Sequence, residues 1–205
     1  MIYSLVIIGA HTGYWIKNEV SITEGPILLV EPVPYNLIEL RENFKDNSNI
    51  TIIETAIFSK DESKKFYSIK RSSISKLKKH WASGIGSFSK EHILNHKSKR
   101  FNVSEEDIEE TKINCLSFSS LVKKFNITGI KKLMLDVEGS EYDILNSIDY
   151  NNCLIEKIIF EKKHLDGTFK EGNRLKNIRK LLENNNYKLT DIDTENILAE
   201  KLSLV

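Results

Sequence analysis

Short runs of apolar residues recur along this chain, and each is followed by a stretch with helical spacing. Leu5-Val6-Ile7-Ile8 and Ile27-Leu28-Leu29-Val30 show no polar alternation, the pattern of strands covered on both faces. Strands are predicted at 4–8, 27–31 and 50–54. Between them, 13–20 reads as a short helix. Residues 34–45 read as a helix opened by Pro34, with Leu37, Leu40 and Phe44 on one face. Strand and helix alternating in this way imply parallel βαβ units.

Residues 59–110 break that rhythm. They are polar and rich in Lys and Ser. Within them, 66–69 is a candidate edge strand, Ser83-Gly84-Ile85-Gly86-Ser87 a flexible turn, and 89–96 a short helix. The rhythm returns with a strand at 112–116 and a helix at 117–125 capped by Ser117. A strand reaching Asp136, a helix from Ser140, a strand at 156–161 and a helix at 173–183 follow. Strands at 187–192 and 196–202 close the chain with no helix between them, so they are expected to be antiparallel neighbours. The expected class is α/β, one domain over 1–205 with an insertion at about 60–110.

Composition narrows the picture little. Charged residues make up 29 % and the net charge is +1, so the total suggests no polyanionic partner. Two isolated cysteines, Cys115 and Cys153, are neither a disulfide framework nor a zinc spacing, and they suit a reducing compartment. The opening apolar strand is too short for a signal peptide or a membrane span, so a cytoplasmic location is the expectation. Charge is uneven locally. Residues 60–100 hold 12 Lys or Arg against 3 Asp or Glu, and Glu105-Glu106-Asp107-Ile108-Glu109-Glu110 then swings acidic. The segment by itself reads as a solvated, mobile loop. Its position allows a basic cover that attracts an anionic acceptor, with Trp81, His80 and Tyr67 available to stack on a sugar or base. His92 and His96 stand four apart, but with no third ligand evident they read as a solvated helix face.

Candidate chemistry collects where strands end. Gly9, Ala10, His11 and Gly13 form a glycine turn before a helix, a place where backbone N–H groups can meet a ligand. The spacing is not G-x-G-x-x-G, which argues against a nicotinamide enzyme. Glu31 ends the second strand and is placed to accept hydrogen bonds from an adenosine ribose. Asp136-Val137-Glu138-Gly139-Ser140-Glu141 puts three carboxylates at a strand-to-helix turn. Asp136 is placed to accept a proton or hold a divalent cation. Ser140 and Asp143 read as a capping box, and Glu141 stands between a structural and a functional reading.

These three pieces, Gly9-Ala10-x-x-Gly13, Glu31-Pro32 and Asp136 to Glu141, together resemble the FkbM-type family of S-adenosylmethionine (SAM) dependent O-methyltransferases. The resemblance covers about residues 4–161 and implies a Rossmann-like class I SAM-methyltransferase fold, mostly parallel with one antiparallel strand near the C-terminus. It implies SAM as cofactor, with adenine contacts at Thr55 and Ala56. It also implies a catalytic group of Asp136, Glu138, Glu161 and His164, of which Asp136, Glu161 and His164 are the candidates for any metal. Family acceptors are hydroxyls of glycans or small metabolites. The sequence departs at Ile7, where the family usually has an acid. It also lacks the extra N-terminal helices that often lie over the cofactor, which implies an open site or a cover from another chain. Two alternatives stand beside O-methylation: an RNA methyltransferase, on the basic segment, and a non-catalytic SAM-fold partner, on Ile7 and the missing cover.

Overall fold

The computed structural model describes residues 1–96 and 101–202, apart from the His80 side chain. Lys97, Lys99 and Arg100 of the basic segment therefore lie outside the described residues, as does any stacking by His80.

Strands β1 (Ile2–Ile8), β2 (Ile27–Glu31) and β3 (Ile50–Glu54) form one flank of a seven-stranded sheet. Helices α1 (Lys17–Ile22) and α2 (Pro34–Asn43) connect them. The second half supplies β7 (Gly129–Leu135), β8 (Leu154–Glu161), β9 (Tyr187–Asp191) and β10 (Asn196–Lys201). The order is β3-β2-β1-β7-β8-β10-β9, with only β10 antiparallel to its neighbours. The order reverses between β1 and β7, and the crevice beyond the carboxyl ends of such strands is where open α/β sheets bind ligands.

Period-two alternation splits the apolar strand residues between two helix layers. Leu5, Ile7, Ile27 and Leu29 face Val20, Leu37 and Leu40. Val6, Ile8, Leu28 and Val30 face the other layer, where Phe118, Ile144 and Ile178 pack. That layer is α5 (Phe118–Lys124), α6 (Glu141–Ser147) and α7 (Asn173–Asn184). Ser117 caps α5 as its sequence suggests, accepting from the Ser120 N–H at 3.1 Å. The helix expected from residue 13 starts only at Lys17. Gly13 has φ +81 and a Cβ there would lie 2.4 Å from the Phe44 ring, so it is a packed turn rather than a first helical residue.

The middle segment is not a solvated loop. Strands β4 (Ala56–Phe58), β5 (Glu62–Ile69) and β6 (Ile108–Ser117) form a second sheet in the order β4-β6-β5. Helices α3 (Arg71–Leu77) and α4 (Lys90–Asn95) and a 3-10 turn at His80–Gly84 fill the interval. They share a separate core of Ile69, Leu77, Ile85, Ile93, Phe101 and Ile108. The acidic run also neutralises part of the basic one: Lys65 pairs with Glu110, Lys76 with Asp107 and Lys90 with Glu105. The 83–87 turn is fixed, because Ser87 and Tyr67 exchange both backbone hydrogen bonds at 2.9 Å. Among the described residues, no helix is long and apolar enough to cross a membrane.

Candidate active site

The carboxyl ends of β1, β2 and β7 open into a cavity of about 660 Å³. Gly9 has φ +91, and a Cβ on it would fall 1.7 Å from the Asp136 carbonyl oxygen. Only glycine lets the first turn close against the end of β7, which brings the Gly9 turn and Asp136 to one wall. Gly9, His11 and Glu31 line that wall, Thr55 and Ala56 line the side toward β4, and Asp136 and Glu138 line the other side. Ala10 and Gly13 do not: Ala10 is fully buried in the core, and Gly13 packs on Phe44 and Leu40. Ile7 is likewise a core residue.

Glu31 is 4 % exposed, yet its carboxylate borders the cavity. Oε2 accepts the His11 N–H at 2.9 Å; Oε1 accepts the Val33 N–H at 3.0 Å and Asn36 Nδ2 at 3.2 Å. A carboxylate has about four acceptor sites, so one remains for a ligand hydroxyl. Burial pushes its pKa up to about 6, against those three donors, so at neutral pH it is mostly ionised. The insertion roofs this cavity. Asn36 Nδ2 donates to the Ser83 carbonyl at 2.9 Å, the His11 ring lies 2.6 Å from Ser83 Oγ, and Trp81, Gly84 and Phe88 line the roof. The sequence-based expectation was an open site or a cover from another chain; residues of the insertion in this chain lie over the cavity.

The carboxylates divide into two groups that the sequence did not separate. Asp136, Glu141 and Glu161 bring an oxygen each within 4.8 Å of one another. Glu141 is fully buried and accepts the N–H groups of Val137 and Gly139 at 2.8 and 3.0 Å. That replaces the expected capping box: Ser140 makes no side-chain cap bond, and Glu141 itself ties down the turn. Among the described residues, Glu161 Oε2 is buried with no hydrogen-bond partner. Asp136 lines the cavity and keeps some solvent exposure. Desolvation, then the Glu138 charge, raises its pKa to about 7. Burial likewise raises Glu141 to about 8, and burial followed by the Asp136 charge raises Glu161 to about 10.

The second group is His92, His96, Glu138 and His164. The sequence-based expectation of a solvated face for His92 and His96 is overturned, since both side chains are only 16 % exposed and turn toward Glu138. Their i, i+4 spacing on a helix capped by Ser89 was the available signal. The partners that make it meaningful come from the β7–α6 turn and the end of β8, which local spacing cannot reveal. Of the three metal candidates, Asp136 and Glu161 fall in the first group and His164 in the second. A second cavity of about 570 Å³ opens beside the histidines, lined by Phe58, Phe88, Lys64, Asp143, Asp166 and Arg174. Glu138 borders both cavities.

Solved structures share this architecture. The methyltransferase FkbM of Methylobacillus flagellatus KT superposes with a TM-score of 0.53 at 14 % identity, over 98 % of this chain and 44 % of that one. The chain therefore spans under half the length of that relative. The fibrillarin of Aeropyrum pernix, solved with natively bound S-adenosyl-L-methionine, gives 0.50 at 12 % identity, over 96 % of this chain and 66 % of that one. No curated protein matches the chain by sequence. The fold is that of the class I SAM methyltransferases. The profile described as "Methyltransferase FkbM domain" matches residues 8–189, taking in both strand-end turns and the insertion, and the chain belongs to the FkbM methyltransferase family.

Proposed function

We propose that the protein is a SAM-dependent O-methyltransferase acting on a hydroxyl of a glycan or small metabolite. The observation that carries the reading is the meeting of two cavities at Glu138, with Asp136 on the wall of the first. The residues of the first fit SAM. The remaining acceptor site of Glu31 suits a ribose hydroxyl, His11 and Gly9 border the same wall, and Thr55 and Ala56 lie where the base would rest. When bound, SAM supplies an electrophilic methyl group on a sulfonium. Asp136, raised to about 7, takes the proton of the acceptor hydroxyl, a role that favours a pKa near the working pH. Glu138, which borders both cavities, and His164, which lines the second, complete the surroundings of that oxygen, while Glu161 lines neither cavity and has an oxygen within 4.8 Å of one of Asp136.

The second cavity favours a hydroxyl-rich acceptor over RNA. Phe58 and Phe88 offer flat apolar surface, while Glu138, Asp143 and Asp166 offer hydrogen-bond acceptors and repel phosphate. Lys64 lies 3.5 Å over the Phe58 ring and Arg174 5.2 Å over the Tyr142 ring, so both of its Lys and Arg cations are already engaged. Incubation with methyl-labelled SAM against a panel of glycans, polyhydroxylated metabolites and RNA tests this. Label on a glycan or metabolite oxygen is the expected result. Label in RNA, with glycans and metabolites unlabelled, would replace it with the nucleic-acid reading.

A further inference from the structure

Three imidazoles and one carboxylate converge beside the carboxyl group assigned to proton transfer. His92 lies in α4, His96 directly follows it, Glu138 comes from the β7–α6 turn and His164 follows β8. The ring centroids are 4.7, 4.7 and 5.0 Å apart. All three rings present Nε2 to one atom, Glu138 Oε2, at 2.8, 3.6 and 3.6 Å. A hydrogen bond explains the first distance only. Two of the three outward nitrogens have partners: His96 Nδ1 donates to the His92 carbonyl at 3.1 Å, and His164 Nδ1 lies 3.5 Å from Thr168 Oγ1. Such outer contacts fix the tautomer that leaves Nε2 free to ligate. Glu138 holds φ +54, a left-handed conformation that a non-glycine residue keeps only where its surroundings impose it.

We propose that His92, His96, His164 and Glu138 bind one divalent transition-metal ion of the zinc class. Four ligands at about 2.1 Å around a tetrahedral zinc lie about 3.4 Å from one another. The four atoms here all fall within 4.8 Å, so closure needs side-chain shifts of about 1 Å or less. The donor set decides the class. Imidazole nitrogen suits zinc and its neighbours, whereas magnesium and calcium want oxygen. An ion here joins the insertion to the edge of the main sheet. It also lies at the junction of the two cavities, where it would hold an acceptor hydroxyl and lower its pKa. That last role rests on the proposed function; the binding site does not.

The test uses the full chain stripped with a chelator and titrated with Zn²⁺ by calorimetry and with Co²⁺ by absorption. The expected result is one equivalent of Zn²⁺ and the intense visible bands of four-coordinate cobalt. His92→Ala and, separately, His164→Gln should weaken Zn²⁺ binding by at least about a hundredfold, while Asp136→Asn changes it by about tenfold at most. Melting curves without metal establish that each variant is folded, and the wild-type titration stands alone if one is not. No saturable Zn²⁺ binding in the wild type, a weak six-coordinate cobalt spectrum, or binding lost in Asp136→Asn but kept in folded histidine variants would overturn the proposal. None of these readouts needs SAM or an acceptor, so failure here leaves the methyl-transfer reading to be judged by its own screen.

Discussion

Glu31 takes three hydrogen bonds from protein donors and still borders the cavity. Its folded pKa of about 6 lies above the ordinary 4.5. Its contribution to stability is therefore fullest below 4.5 and is lost as pH rises through 6. SAM affinity should run the other way: level above about pH 7, weakening as the carboxyl protonates below about 6. Calorimetry at pH 5 to 8 checks this, and a flat profile would argue against an ionised Glu31 on the ribose. At Asp136 the expectation is kinetic. Asp136→Asn should lower turnover by at least about a hundredfold with the melting temperature nearly unchanged, because among the described residues its carboxylate makes no ion pair and its charge works against ionising Glu161. A variant with full turnover would remove Asp136 from the proton path. The positions of Glu31 and Asp136 on the cavity wall were legible because each lies at a strand end, and the topology delivers strand ends to one edge. Those of His92 and His96 were not, because their partners lie in other elements.

At the scale of elements, strands written as unbroken apolar runs were read within two residues. Burial on both faces leaves that signature at 4–8 and 27–31, observed as Ile2–Ile8 and Ile27–Glu31. The insertion resisted reading because its core residues have no single period. Ile69, Leu77, Ile93 and Phe101 come from different elements and meet only in the folded state. The 140–143 capping pattern misled for a related reason, since Glu141 satisfies the turn from within. Asp107 anchors the insertion. It is 2 % exposed, and its carboxylate accepts from Lys76 Nζ, Ser104 N and Ser104 Oγ. The Lys76 hydrogen bond, then the Ser104 N–H, holds its pKa well below the ordinary 3.8. The stabilisation is thus present above 3.8 and lost as pH falls below it. Asp107→Ala should destabilise the insertion by about 0.5–2 kcal/mol, as for other lost caps. Hydrogen exchange would show faster opening at residues 69–95 with the main sheet unaffected; unchanged exchange would deny Asp107 this role.

For the whole molecule, a net charge of +1 conceals a basic insertion already partly answered by its own acids. Lys78 and Lys79 border neither cavity, whereas Lys64 and Arg174 line the second. Replacing Lys78 and Lys79 with Gln should change the apparent acceptor constant by about fivefold at most, the scale of exposed charges. Arg174→Gln should raise it more, and steady-state kinetics would expose the reverse order. The claim beneath all of this is that the junction of β1, β2 and β7 holds SAM with Glu31 on its ribose. Titrating SAM into the wild type and Glu31→Gln tests it most directly. Removing a charge-assisted acceptor removes about 1.5–3 kcal/mol, so the variant should bind about 10- to 150-fold more weakly while the wild type saturates at one equivalent. Equal affinities, or no binding heat in the wild type, would contradict the account.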